Sequence, residues 1–214
     1  MNATDICIPD MTIDTEAITK IIKTAQRLKF RTLVLVTENP FETSFGLTII
    51  KGILVKSESI AKAESMIERS KRQDKLILVH AGENSFNRSI SSFPGIDILY
   101  GIHRAPKNSF DEVIARLIAK KGIILDLSLF PIIHGEEHAR QNALKRYREI
   151  LKFQRIFRFP ISISTSAEIS IDMRSPREFS ALASLFGLAE NELEETFSAI
   201  KRRMERPEPV RLII

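Results

Sequence analysis

Two hydrophobic periods alternate along the chain. Short β-branched runs recur at Asp5–Ile8, Thr32–Val36, Thr48–Val55, Leu76–His80, Ile96–Tyr100, Ile123–Leu129 and Ile161–Ser164, and read as seven buried strands. Between most of them apolar residues fall at helical spacing. Asp14–Lys29 places Ile18, Ile21, Ile22, Ala25 and Leu28 on one face, behind Asp14 as N-cap. Ser59–Arg72, Ser109–Lys121, Glu136–Phe157, Pro176–Leu185 and Glu190–Glu205 are the other predicted helices. Strand and helix in alternation predict a parallel sheet with helices outside. The repeat is about 25 residues long, which fits a compact (β/α) barrel. No eighth strand is visible, and the link Thr37–Gly46, with Asn39-Pro40 and Gly46, is too short for a full helix. The expected fold is therefore α/β, an irregular or incomplete TIM-like barrel. A doubly wound open sheet is the rival, disfavoured because no strand is followed by a glycine-rich phosphate loop. The expected organisation is one domain over 1–206 and a short extended tail over 207–214.

Composition narrows the class. At 214 residues, 43% hydrophobic and 28% charged, the chain is that of an ordinary globular protein with a sizeable core. A single cysteine, Cys7, excludes an internal disulfide framework and a cysteine zinc cluster. No apolar run approaches the length of a membrane span. The first 19 residues hold Asp5, Asp10, Asp14 and Glu16 and no base, unlike a secretory leader, so a cytoplasmic location is expected.

Charge is uneven. The segment Arg140–Arg158 holds seven basic residues against Glu149 alone, whereas Gly187–Ser198 holds Glu190, Glu192, Glu194 and Glu195 and no base. On the long helix Lys145, Arg148, Lys152 and Arg155 fall within about 80° of one another, opposite the apolar stripe. Such a stripe suits a polyanion, and equally a solvated outer face. Arg104 follows strand five. Arg174 and Arg177 bracket Ser175-Pro176, an N-cap and first helical position, where an arginine beside free backbone N–H groups makes an anion site. Lys120 and Lys121 close the helix before strand six, where they also compensate its dipole.

Catalytic patterns are weak. His134-Gly-Glu-Glu-His138 matches H-x-x-E-H, but a helix starting near Glu136 leaves His134 outside it and spoils the metal geometry. His80 and His103 end strands four and five, where a barrel places its chemistry, yet neither has a partner in a metal pattern. Ser162–Ala167 is rich in hydroxyls that cap the next helix or hold a phosphate. No catalytic residue and no metal ligand emerges.

The run Gly122–Ile133, the segments Ser164-Thr-Ser-Ala167 and Asp172–Glu178, Gly187, the opening Asp5–Pro9 and the end Arg206–Ile214 together resemble the archaeal ribonuclease P protein component 3 family, in order and over essentially the whole chain. The resemblance implies a TIM-barrel-like fold related to PHP phosphoesterases. It implies a subunit of the ribonucleoprotein that removes 5′ leaders from precursor tRNA, in which the RNA subunit cleaves with Mg²⁺ and this chain holds no cofactor. The implied partners are the ribonuclease P RNA, a Pop-type subunit in a two-plus-two heterotetramer, other ribonuclease P proteins and, indirectly, precursor tRNA. Carried over by motif, the RNA-contacting residues are Arg104, Lys120 or Lys121, Arg174 and Arg177, with His103 a weaker candidate. One departure bears on mechanism: PHP phosphoesterases carry His-x-His on the first strand, and this chain has Asp5-Ile-Cys7. A metal-dependent PHP-like phosphoesterase is the alternative, and a free-standing RNA-binding protein, docking through the acidic helix, a third reading.

Overall fold

A computed structural model describes residues 3–9, 14–42, 46–71 and 75–205. The strands are β1 (Thr4–Cys7), β2 (Thr32–Val36), β3 (Thr48–Val55), β4 (Leu76–His80), β5 (Ile98–Tyr100), β6 (Ile124–Ser128) and β7 (Ile161–Ser164). The helices are α1 (Thr15–Arg27), α2 (Ile60–Ser70), α3 (Asn84–Ser92), α4 (Glu112–Lys121), α5 (Phe130–Ile133), α6 (Glu137–Phe157), α7 (Pro176–Ser184) and α8 (Glu190–Met204). All strand pairs are parallel, in sequence order. The Thr37–Gly46 link has no helix among its described residues. The expected tail, 207–214, lies outside the described residues.

The sheet nearly closes. Beyond β7 the chain runs along β1, where the Ile8 N–H donates to the Ala167 carbonyl and the Ser166 N–H to the Ile6 carbonyl, both at 3.0 Å. Among the described residues seven strands and this bridge make a nearly closed barrel, where eight strands are usual.

Alternation along each strand separates two apolar layers. Ile6, Val34, Leu76, Leu78, Ile98, Tyr100 and Ile124 fill the interior, while Cys7, Leu33, Leu35, Ile77, Val79, Leu99 and Leu125 pack outward on the helices. Helix α8 plugs the base: Ala199 and Ile200 join the interior, the Thr4 hydroxyl donates to the Phe197 carbonyl at 2.9 Å, and Arg203 binds Asp97 at 2.8 Å. The opposite end, at the C-terminal ends of the strands, remains for function.

Local chemistry explains the helix starts. Asp14, Ser59 and Asp111 cap α1, α2 and α4 through their side chains, and Ser175 with Glu178 forms a reciprocal capping box on α7 behind Pro176. Helix α3 was not expected. Its sequence is dominated by serine and asparagine, and tertiary bonds hold it: the Asn87 amide donates to the Gly82 and Ser109 carbonyls at 2.9 and 2.8 Å.

Candidate functional site

At the barrel mouth the interior is polar. The Asp126 carboxylate on β6 is fully buried, and its two oxygens accept the Ser162 and Ser164 hydroxyls of β7 at 2.7 and 2.8 Å. Ser164 meets Ser166 at 3.0 Å, and Ser166 meets Ser128 at 2.7 Å. Ser166 adopts φ of 52°, a left-handed conformation that strains a residue bearing Cβ. On the outer side of the seam Asp5 is equally buried, and its carboxylate accepts the Thr165 N–H and hydroxyl and the Ile6 N–H. Burial raises both carboxyls to about 7. The expectation that the Ser162–Ala167 hydroxyls cap a helix or hold a phosphate is corrected: the barrel itself uses them. The first-strand position that faces the interior is Ile6, an apolar residue; Asp5 and Cys7 face outward.

The histidines are placed as follows. His80 ends β4, half-buried, with Nδ1 3.0 Å from the Ala81 carbonyl and its ring edge-on to Tyr100. His103 lies in the turn Ile102–Arg104, where burial first, and then Arg104 and His80, push its pKa down to about 3. That ring is neutral at physiological pH and is no proton donor there. His134 ends α5 and pairs with Asp172 at 3.1 Å; His138 lies in the first turn of α6, so the two do not share a helix. Among the described residues no three of His, Cys, Asp and Glu come together as metal ligands.

The rim carries cations. Gly101, at φ of 74°, turns the chain out of β5 where a Cβ would come within 2.8 Å of His80 Nε2. Arg146 on α6 then donates to the carbonyls of Ile102, Ala105 and Pro106, each at 2.5 Å, and so fixes the turn that presents Arg104. The Arg104 guanidinium is exposed, 5.6 Å over the Phe130 ring. Arg174 wraps its own loop, donating to the carbonyls of Ile171, Asp172 and Met173. Arg177 is exposed and makes no hydrogen bond or ion pair with the described residues. The expected anion site at the start of α7 is partly filled from within, because the Glu178 carboxylate takes the Ser175 N–H and hydroxyl at 2.7 Å.

The other expected residues lie elsewhere. Lys120 and Lys121 end α4 at the base, at the far end of the barrel from Arg104 and Arg174, and the Lys121 amine donates to the Ser92 carbonyl. The helix stripe divides. Arg148 donates to the Leu185 carbonyl at 2.7 Å, and Arg155 grips Glu192 through two bonds of 3.0 Å and the Gly187 carbonyl at 2.8 Å, tying α6 to the start of α8. Lys145 and Lys152 are exposed without partners among the described residues. Sequence reasoning missed the role of Arg146, since one more arginine in a basic run gives no sign that it is half-buried.

Comparison with known proteins decides the family. The model of the RNase P subunit p30 family matches residues 2–206. The chain belongs to that family. Ribonuclease P protein component 3 of Methanosarcina barkeri is 28% identical over 179 residues, 82% of this chain and 72% of that protein. The same component of Methanothermobacter thermautotrophicus is 27% identical over 165 residues, 76% of this chain and 66% of that protein. A chain in the cryo-EM structure of archaeal ribonuclease P with mature tRNA superposes with a TM-score of 0.77 at 20% identity, covering 99% of this chain and 96% of that one. An amidohydrolase superposes at 0.64 with 9% identity over 95% of this chain and 73% of its own, a likeness of fold. The p30-family chain is thus a protein subunit of ribonuclease P, and the PHP-like phosphoesterase alternative is not favoured.

Proposed function

We propose that this chain supports the ribonuclease P RNA, binding it and helping it fold, and performs no cleavage of its own. The observation that carries this reading is Asp126: the carboxylate facing the barrel interior at the mouth has both oxygens taken by Ser162 and Ser164. A base or metal ligand must reach a substrate or ion, and this carboxylate has no exposed surface and no second and third ligand-type side chain beside it among the described residues. His103 is half-buried and its ring is held neutral, and the rim exposes Arg104 and Arg177.

In this reading the RNA, with Mg²⁺, does the chemistry, and the chain works in the cytoplasm beside a Pop-type subunit in a two-plus-two assembly. Precursor tRNA meets the chain through the RNA. Arg104, Arg174 and Arg177 form the principal phosphate-facing set. Lys120 and Lys121 at the base, and Lys145 and Lys152 on α6, are outlying contacts. Arg148 and Arg155 belong to the set chiefly by holding α6 in place.

The test is the triple variant Arg104→Ala, Arg174→Ala, Arg177→Ala. It is expected to bind ribonuclease P RNA more weakly and to lower the slope of log affinity against log salt by about two to three, as phosphate contacts do. An unchanged slope would remove these residues from the interface.

A further inference from the structure

The segment Ile169–Arg174 follows the barrel seam and makes a ridge on the rim. Ile171 is 77% exposed and Ile169 47% exposed. A single exposed aliphatic needs no explanation. Here two stand together on a segment locked in place: the Asp172 carboxylate accepts the Ile169 N–H at 3.3 Å and meets His134 at 3.1 Å, while Arg174 gathers three successive carbonyls from beneath. Three polar side chains fix a loop whose outward product is a bare isoleucine. Its exposure is therefore held in place by these bonds.

The neighbours say what covers it. Arg174 keeps further guanidinium N–H groups free, and Arg177, one turn away at the start of α7, is exposed and unpaired among the described residues. An apolar tip with two arginines on its C-terminal side, and the exposed Glu168 on the other, matches a ligand with an apolar face and phosphates to one side of it. Regular A-form RNA offers phosphates and hydroxyls in its shallow groove and no apolar face within reach of a short side chain. An unstacked nucleotide in a loop, bulge or helix end offers one: its base covers the aliphatic tip and its flanking phosphates meet the arginines.

We infer that the Ile169–Ile171 ridge is a contact for unpaired nucleotides of RNA, with Ile171 packing on an exposed base and Arg174 and Arg177 on the adjoining phosphates. This rests on the RNA-supporting reading above and adds the kind of RNA structure that the rim selects.

Ile171→Cys introduces a single accessible thiol, because Cys7 is fully buried. The full chain carrying a photo-crosslinker there is assembled with ribonuclease P RNA and the other protein subunits, and the adduct is mapped. Arg177→Cys, labelled in the same way, is the companion. The expected result is an adduct at unpaired nucleotides from position 171. An adduct confined to base-paired RNA, an adduct to a protein subunit, or no adduct from 171 while 177 crosslinks RNA would each overturn the ridge assignment. No RNA adduct from either position would overturn the rim reading itself. In parallel, Ile171→Ala is expected to weaken binding to a loop-bearing RNA hairpin by about tenfold, with the salt slope and melting temperature unchanged. Equal loss on a blunt RNA duplex would contradict the inference.

Discussion

Asp5 and Thr165, separated by 160 residues in the chain, are bound twice: the Asp5 carboxylate accepts the Thr165 N–H at 2.8 Å and its hydroxyl at 2.7 Å. This pair clasps the outer side of the seam that closes the barrel. Asp126 clasps the inner side of the same strand through Ser162 and Ser164. Asp5→Ala leaves buried donors unsatisfied and is expected to lower stability by about 3 kcal/mol, with Asp5→Asn losing less. Urea unfolding measures both. A loss below about 0.5 kcal/mol for the alanine variant would mean that the clasp does not hold the seam.

The two carboxyls also set a pH dependence. Burial, partly offset by hydrogen bonds, holds both at about 7, above the ordinary 3.8. The folded protein therefore binds their protons more tightly than the unfolded chain does. Their contribution to stability is full below about 3.8 and is lost as pH rises through 7. Between pH 5 and pH 8 the wild type should lose stability relative to the double variant Asp5→Asn, Asp126→Asn. Parallel curves for the two proteins across that range would refute the assignment.

Ser166 separates strain from bonding. Ser166→Ala keeps the left-handed strain and loses the bonds to Ser128 and Ser164, whereas Ser166→Gly loses the bonds and relieves the strain. Glycine is expected to be the more stable variant by about 1 kcal/mol. Thermal melting orders the two, and the reverse order would show that the backbone there is unstrained.

The cations of α6 should divide by function. Arg155→Ala breaks the two-bond pair with Glu192 and the bond to Gly187, and is expected to cost about 1 kcal/mol of stability at this exposed position. Lys145→Ala with Lys152→Ala should leave stability unchanged and reduce the salt dependence of RNA binding by about two. Melting curves beside salt titrations distinguish the pairs, and a stability loss from the lysine variant would contradict this division.

Much of the fold was legible because burial writes a plain signal. β2, β3, β4 and β7 have the predicted ends, since each is a short run rich in β-branched and aliphatic residues. β5 is shorter than predicted, beginning at Ile98, and β1 runs Thr4–Cys7, one residue earlier than predicted. Helix α3 escaped because Phe86 and Ile90 alone give it little apolar stripe, and the Asn87 bond to Ser109 that ties it down spans 22 residues of sequence. The site was less legible for the same reason. An arginine's letter does not say whether its guanidinium meets solvent, as in Arg177, a carboxylate, as in Arg155, or three carbonyls, as in Arg146. Nor does alternation alone reveal which face of a first strand as short as β1 looks inward; the structure turns Ile6 to the interior and Cys7 to the helices.

The measurement that tests the central claim most directly is precursor-tRNA cleavage by the purified chain, alone and then with ribonuclease P RNA and a Pop-type subunit. The account predicts no cleavage by the chain alone, and cleavage in the reconstituted mixture at lower Mg²⁺ than the RNA needs by itself. Cleavage by the chain alone would contradict it and would point to a catalytic group at the mouth, beside His80 and Asp126.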